Sequence, residues 1–226
     1  MGLKQRFTNA VKRDRATLKT LSFRGKVRFF FDYYRWTLFL LVIFILLCIY
    51  LGDLFQQSRQ TIDLQGFFIN DRQNLFPAEE LMEDFSHYQN TPSGHRIAFE
   101  DSLLIDLDSG SEYHAASQSK LMAYIAARQL DFLVAPKDLA QYYAQSFSLM
   151  DLEDLLPQDL CNLLEEDLSF GEDGTGINKA WGLNLRRSRF LQNPVYDHEE
   201  DYYLLVLSYT PHTDALISFI RYAYGA

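Results

Sequence analysis

The stretch that decides the fold is SEYHAASQSKLMAYIAARQLDFLVAPKDLAQYYAQ, residues 111–145. Residues 111–128 carry apolar side chains at helical spacing, and Leu130–Ala135 is a short, largely apolar run of the kind found in buried strands. Pro136 closes this strand and begins a second helix. A helix, a buried strand and another helix in succession predict a parallel open sheet covered by helices.

The flanking segments extend this pattern into one α/β domain over residues 62–226. Its length of about 165 residues is enough for a single hydrophobic core. Apolar patterning predicts four more strands and further helical segments. The strands are Ile62–Ile69, Arg96–Ile105, Ala180–Leu185 and Tyr202–Tyr209. One helix begins at Pro77, two short helices interrupted at Pro157 cover 149–168, and a last helix covers Thr213–Tyr224. We expect one open, mostly parallel sheet with helices on both faces, a loop at Gly171–Gly176 and an acidic turn at Tyr196–Asp201.

A second organising feature is the apolar segment Trp36–Leu51, which contains no charged residue. A helix needs roughly 20 residues to cross a bilayer core, so the span is predicted over residues 36–55. The alternatives are a buried core helix and a cleaved signal peptide. A basic arm of about 35 residues precedes the segment and no small-residue cleavage site follows it, so an uncleaved signal-anchor is the preferred interpretation.

The distribution of charge predicts the orientation of this span. Residues 1–35 hold ten Lys and Arg against Asp14 and Asp32, a net charge of +8, which leaves 11 basic and 28 acidic residues, a net charge of −17, for the rest of the chain. Basic residues beside a span stay in the cytoplasm. We therefore expect a cytoplasmic arm (1–35), a short polar stalk (56–61) and an extracellular domain on a plasma-membrane protein. The arm is interpreted as solvated or as an amphipathic helix on the inner leaflet.

The two cysteines fall on different sides of the predicted topology. Cys48 lies in the apolar segment and Cys161 in the domain, so they cannot form an intrachain disulfide. An extracytoplasmic domain without disulfides is compatible with the envelope of a Gram-positive bacterium. Cys161 stands among leucines, which predicts a buried structural thiol.

No motif in the chain predicts catalysis. The five histidines show no metal-ligand spacing, and the acidic turns at Asp106–Gly110 and Glu172–Gly174 lack the remaining ligands of a calcium loop. No nucleophile elbow, phosphate-binding loop or nucleic-acid-reading module is present. We therefore predict a protein that is not an enzyme, has no metal or cofactor, and does not bind nucleic acid; a hydrolase is the remote alternative.

The domain resembles the bacterial extracellular solute-binding proteins of the type 2 periplasmic-binding fold. The residues that carry the resemblance are Lys120–Ala135 followed by Leu149–Pro157, and then Ala180–Leu185, Tyr202–Leu207 and Thr213–Tyr224. It is closest to small membrane-anchored relatives in Gram-positive bacteria. The resemblance implies a strand order of 2-1-3-n-4, with ligands approaching the carboxyl ends of the strands.

Those strand ends supply the candidate binding residues. In this sequence they are Ile69–Asn74 and Ala135–Asp138, with Tyr209–His212 expected nearby. The candidate ligand- or partner-binding residues are Asn70, Asp71, Arg72, Lys137 and Asp138, and the alternative is that they are ordinary solvated loop residues. Only about 44 residues separate the strand ending at Ala135 from the one starting at Ala180, which is too little for a second lobe.

A single lobe leaves a ligand exposed, whereas tight small-molecule sites bury about 70–90% of the ligand surface. The sequence therefore predicts weak or no binding of small molecules and a strand-end surface available to a protein partner. The first functional hypothesis is a membrane-tethered, non-enzymatic binding module, accessory to a transporter or sensor. The second is a structural or assembly component of an envelope complex with no small-molecule ligand.

Overall fold

The structure is a computed structural model that describes residue 36 and residues 39–52, 60–172, 176–192 and 200–226. The folded unit runs from Gln60 to Ala226. The basic arm, the stalk up to Arg59 and most of the acidic turn at Tyr196–Asp201 lie outside the described residues, so the predictions made for them stay predictions.

Six strands and six α-helices make up the described part of the folded unit. The strands are β1 (Thr61–Ile69), β2 (His95–Leu103), β3 (Phe132–Pro136), β4 (Leu168–Glu172), β5 (Asn178–Asn184) and β6 (Tyr202–Val206). The helices are α1 (Ala78–Gln89), α2 (Glu112–Ala126), α3 (Lys137–Ser146), α4 (Leu152–Leu155), α5 (Gln158–Leu164) and α6 (Thr213–Tyr224). Short 3-10 turns at Glu165–Asp167 and Leu185–Arg187 precede β4 and follow β5.

The strands form one open mixed sheet in the order β2-β1-β3-β6-β5-β4. The pairs β1–β2 and β1–β3 are parallel, while β3–β6, β5–β6 and β4–β5 are antiparallel. The prediction of an α/β fold is confirmed, but the prediction of a mostly parallel sheet is wrong. Apolar patterning marks a buried strand without giving its direction, and β6 returns beside β3 in the opposite sense.

One prediction fails at β4. The predicted loop at Gly171–Gly176 overlaps this strand, since Leu168–Glu172 pairs with β5. The sequence LSFGE has little apolar alternation and contains a glycine, so its strand signal is weak. The short helices predicted on either side of Pro157 are confirmed as α4 and α5.

Helices cover both faces of the sheet, as predicted. Alternate residues of the central strands enter two separate cores because successive side chains of a strand point to opposite faces. On β3, Phe132 and Val134 join the core with α1, α5 and α6, whereas Leu133 and Ala135 join the core with α2 and α3. The central strand expected at Leu130–Ala135 is therefore buried on both sides.

The first core is centred on an aromatic stack that depends on a glycine. Gly66 of β1 pairs directly with Phe132 of β3, and the phenyl ring lies over the glycine. A Cβ built on Gly66 would meet the ring at 2.2 Å. The ring of Phe219 from α6 stacks on Phe132 with centroids 5.0 Å apart. Helix α6 thus packs on the ring of Phe132, which fits there because Gly66 of β1 has no side chain.

Residues 39–52 form a helix whose side chains are exposed, among them Phe39, Phe44 and Leu51. Within the described residues, no helix combines the length and the hydropathy needed to cross a membrane.

The contact between Gly66 and Phe132 yields a stability prediction. Gly66→Ala should lower the free energy of unfolding by about 1–3 kcal/mol, because the added methyl overpacks a filled site. Gly182→Ala in β5 is the matched control, since its Cβ would meet nothing closer than 3.7 Å. The measurement is chemical denaturation of the full-length chain, followed by Trp181 fluorescence in a Trp36→Phe background, because these are its two tryptophans.

A second variant identifies the cause. In a Phe132→Leu background the ring that meets the new Cβ is gone, so Gly66→Ala should cost much less than in the parent. An equal cost in both backgrounds would show that the loss arises elsewhere, for example from strand geometry at position 66.

Candidate functional site

The predicted binding residues follow two adjacent strands at one edge of the sheet. Asn70, Asp71 and Arg72 come directly after β1, and Lys137 and Asp138 begin α3 directly after β3. Because β1 and β3 are parallel neighbours, both groups lie at the carboxyl ends of the strands. The structure thus brings the two predicted segments to the same edge.

Asn70 is committed to joining three strands. Its side-chain amide donates to the carbonyl of Ile105 at 2.9 Å and its carbonyl accepts from the Ile105 N–H at 2.7 Å, which ties β1 to the chain after β2. The hydroxyl of Tyr202, at the start of β6, donates to the backbone carbonyl of Asn70 at 3.1 Å. The backbone of Asn70 takes the left-handed conformation (φ 61°), which asparagine tolerates better than most residues. Both polar atoms of the side chain therefore serve the fold.

Asp71 is likewise used within its own loop. Its carboxylate accepts from the backbone N–H groups of Leu75 and Phe76, at 2.7 and 2.6 Å. Partial burial raises the pKa of Asp71, although these two hydrogen bonds pull the pKa down. The carboxylate holds the 71–76 loop in a tight turn before α1.

The other three predicted residues are exposed. Arg72, Lys137 and Asp138 are open to solvent, and the backbone N–H of Lys137 donates to the carbonyl of Asp201 at 2.9 Å. The edge therefore presents a surface with two cationic side chains and one anionic side chain, built on a backbone that Asn70 and Asp71 hold in place.

The expectation that Tyr209–His212 lies near this edge is wrong. Because β6 runs antiparallel to β3, Tyr202 pairs with Pro136 at the strand-end edge, and the chain after Val206 emerges at the opposite edge. A parallel β6 would have placed Tyr209–His212 beside Pro136, which is the arrangement the sequence pattern suggested.

At that opposite edge, Asp131 is the centre of a polar cluster that the sequence did not reveal. Its buried carboxylate accepts a hydrogen bond from the Gln65 N–H at 2.7 Å and another from the Thr210 hydroxyl. The Nδ1 atom of His212 lies 3.0 Å from both carboxylate oxygens. The cluster connects β1, β3 and the residue that precedes α6.

Two more side chains lie beside this cluster. The guanidinium of Arg128 lies 5.9 Å from the ring centroid of Tyr209. Burial of Tyr209, together with the charge of Asp131, raises the pKa of its phenol to about 12, against the opposing effect of Arg128. Tyr209 therefore stays protonated over the physiological pH range.

A histidine oriented by a buried carboxylate is also the arrangement of a general base, with its second ring nitrogen available. The side chain of His212 is 34% exposed. Among the described residues, however, no group of three metal-ligating side chains occurs. The observed hydrogen bonds of Asp131 account for its burial without a reaction, since each anchors an element of the fold.

Cys161 gives no reactive thiol. The residue is partly buried, and its Sγ lies 3.4 Å from the carbonyl oxygen of Leu156. Burial and the nearby carboxylates of Glu153 and Asp151 raise the pKa of the thiol. Because the thiolate is the nucleophile, this environment suppresses cysteine chemistry.

One sequence signal could have revealed the cluster at Asp131. An aspartate next to the apolar run Phe132–Ala135 is buried at a high cost unless it finds partners. His212 before the last helix and Gln65 in the first strand are far away in sequence, so only the sheet order identifies them as those partners.

Removing the carboxylate at the centre of the cluster should destabilise the fold. We expect Asp131→Ala to lower the free energy of unfolding by about 3–5 kcal/mol, because three donors on two segments, β1 and residues 210–212, lose their acceptor. Asp138→Ala is the matched control: this aspartate is exposed at the opposite edge, so its loss should stay within about 0.5 kcal/mol. The same denaturation measurement applies, and equal small effects at both positions would contradict the structural role of Asp131.

Comparison with protein-family models, with curated proteins and with solved structures gives no match for this chain. The resemblance to solute-binding proteins therefore stays a prediction. The candidate functional residues are therefore those at the carboxyl ends of β1 and β3 and those of the Asp131 cluster at the opposite ends of the strands.

Proposed function

We propose that this chain is a single-pass plasma-membrane protein that displays residues 62–226 outside the cell as a non-enzymatic module for binding another protein. The +8 net charge before the apolar segment and the −17 net charge after the arm support this orientation. The exposed apolar side chains of the helix at residues 39–52 support the membrane anchor, since water is a poor solvent for them.

The sheet order supports a relationship to one lobe of a solute-binding protein. The strand order that the resemblance implies is 2-1-3-n-4, and the observed sheet likewise begins in the order β2-β1-β3. Here β2, β1 and β3 are parallel and β6 is the antiparallel neighbour of β3. The next strand, β5, precedes β6 in the chain, which departs from the numbering of that fold.

The chain between β3 and β5 is already used by elements of this domain, which supports a module with a single lobe. Between β3 and β5 the chain forms α3, α4, α5 and β4, and all four pack within the same unit. Solute-binding proteins close two lobes around their ligand. A one-lobed relative is expected to bind solutes weakly or not at all.

The observation that carries the choice of a protein partner is the commitment of Asn70 and Asp71. The side chain of Asn70 hydrogen-bonds to the backbone of Ile105, and that of Asp71 to backbone groups of its own loop, so neither is available to a small polar ligand. The exposed Arg72, Lys137 and Asp138 remain, and a surface of mixed charge suits contact with a protein of complementary charge. The same observation favours the alternative role, an assembly component of an envelope complex, over a solute receptor that serves a transporter or sensor.

The orientation is tested by labelling cysteines in whole cells. In a background with Cys48→Ala and Cys161→Ala, a membrane-impermeant maleimide should modify Ser109→Cys and spare Ser22→Cys until the cells are permeabilised. Ser109 lies in the α/β domain and Ser22 in the basic arm, so the pair samples both sides. Modification of Ser22→Cys alone would reverse the topology and remove every extracellular assignment.

The absence of tight solute binding is tested by calorimetric titration of the full-length chain in detergent with sugars, amino acids and short peptides of mixed sequence. No sugar or amino acid should bind stoichiometrically with sub-micromolar affinity, because an open strand end cannot bury most of a small ligand. Such binding, if abolished by Arg72→Ala or Lys137→Ala, would show that a closed solute site forms at this edge.

A further inference from the structure

We propose that the outer edge of β4 is the docking site for an extended, lysine- or arginine-bearing segment of a partner protein, which pairs with β4 as an added strand. This inference rests on the proposed function, because it names the surface through which the module binds its partner. It concerns a part of the domain distant in sequence from the strand-end loops.

The two terminal strands of the sheet differ in how they are protected. On β2, four of the six exposed or half-exposed positions carry titratable side chains. Two of these have a partner: His95 pairs with Asp63 at 2.6 Å, and Glu100 pairs with Lys120 at 2.5 Å. Charged side chains of this kind are the usual defence of an edge strand against pairing with another chain. The edge at β2 is therefore closed to a new strand.

The edge at β4 has little of this protection. Its central residues are Ser169, Phe170 and Gly171, and the phenyl ring of Phe170 is 53% exposed. Within the described part of the chain, β4 is the last strand of the sheet. An exposed phenylalanine among the uncharged central residues of a terminal strand is a feature that natural sheets avoid unless a partner covers it.

A cleft beside β4 offers a place for a side chain of that partner. It has a volume of about 290 Å³ and lies between α3 and β4, lined by Gln141, Gln145, Phe170, Glu172 and Trp181 among others. Gly171 also lines the cleft, and a Cβ there would lie 3.3 Å from the indole nitrogen of Trp181. A cleft of this size is small for a drug-like ligand and suits one or two side chains.

The strand itself is held firmly from both sides. Before it, Arg187 donates to the buried carboxylate of Asp167 at 2.8 Å and so joins the two 3-10 turns that flank the β4–β5 pair. Beside it, the backbone N–H of Ala180 donates to the carboxylate of Asp151 at 3.2 Å. A preformed edge lowers the ordering cost of adding a strand.

The charges around β4 select the partner. Glu172 is exposed at the end of the strand and lines the cleft, and the exposed Glu165 lies just before the strand. The neighbouring Glu166 already pairs with Arg187 at 3.2 Å. An added strand brings its side chains opposite those of β4, where opposite charges stabilise the pair and like charges destabilise it. The segment that fits therefore carries lysine or arginine. Edge-to-edge pairing with a second copy would set these glutamates against each other.

The test uses the full-length chain in detergent with Trp36→Phe, so that emission reports Trp181 in the cleft. The probe is a five-residue peptide of alternating valine and lysine with blocked ends, matched to the five residues of β4. Two control peptides replace lysine by glutamate, or N-methylate alternate amides of the lysine peptide so that it cannot pair as a strand. The lysine peptide should change the Trp181 emission saturably and bind at least about tenfold more tightly than either control.

Two charge variants localise the binding. Glu172→Lys should weaken the lysine peptide by about tenfold or more, because it removes a partner charge and adds a repulsive one. Glu80→Lys is the matched control: this glutamate is exposed on α1, away from β4, and its reversal should change the affinity by less than about twofold. Gly171→Val, which fills the cleft, should also weaken binding.

Several outcomes would overturn the inference. Equal losses for Glu172→Lys and Glu80→Lys would mean that the peptide responds to net charge alone, and equal binding of the N-methylated peptide would exclude strand pairing. No binding of the lysine peptide would also reject it. Concentration-dependent self-association that Gly171→Val abolishes would assign the edge to a second copy of the chain. None of these results alters the labelling of Ser109→Cys, so the proposed function is tested separately.

Discussion

The contact that the rest of this domain depends on is the phenyl ring of Phe132 lying over Gly66. The ring fills the space that a side chain at position 66 would take, so it fixes the register of β1 and β3. The ring also gives Phe219 a flat surface on which to stack. The aromatic side chains of Phe68 and Phe99 meet the same ring edge to face, with centroids 6.0 and 5.8 Å away. Aromatic contacts of this kind favour one packing over others because their geometry is specific. A glycine in the first strand and a helix at the end of the chain therefore form one structural unit.

Polar residues at both ends of the central strands keep these strands in place. Asn70 joins β1 to the chain after β2 and receives the hydroxyl of Tyr202 from β6, while Asp131 at the other edge joins β1, β3 and the start of α6. The side chains of Asn70 and Asp131 are both matched to backbone or side-chain partners, as the low dielectric of the interior favours. The polar side chains that could have formed a ligand site are thus already hydrogen-bonded within the domain. This is why the exposed parts of the surface, and not its buried polar clusters, are the better guide to function.

The sequence predicts the local elements of this domain better than their arrangement. The run Leu130–Ala135 has a pattern that only a buried strand satisfies, and Pro77, Pro136 and Pro157 mark helix starts, so these predictions are confirmed with shifts of one or two residues. The direction of β6 is not encoded in its apolar pattern, since a strand buried on both faces looks the same in either sense. That single ambiguity made the predicted sheet mostly parallel and moved Tyr209–His212 to the wrong edge. Of the predicted site, its position at the ends of β1 and β3 is found, but the use of Asn70 and Asp71 depends on backbone groups of residues 75, 76 and 105, whose positions no local pattern specifies.

The net negative charge of the residues after the basic arm bears on which partner the domain can attract. A net charge of −17 after the arm keeps copies of the domain apart at low ionic strength and attracts cationic segments, an effect that falls off within about 8 Å at physiological salt. Attraction at that range brings a partner to the domain without selecting where it binds. Selection requires a place where backbone hydrogen bonds and a carboxylate are offered together, and Glu172 on an open terminal strand meets that condition, whereas the carboxylate of Glu100 on β2 is already paired with Lys120. For the proposed basic partner, the acidic composition would govern the rate of encounter and the edge of β4 the place of binding.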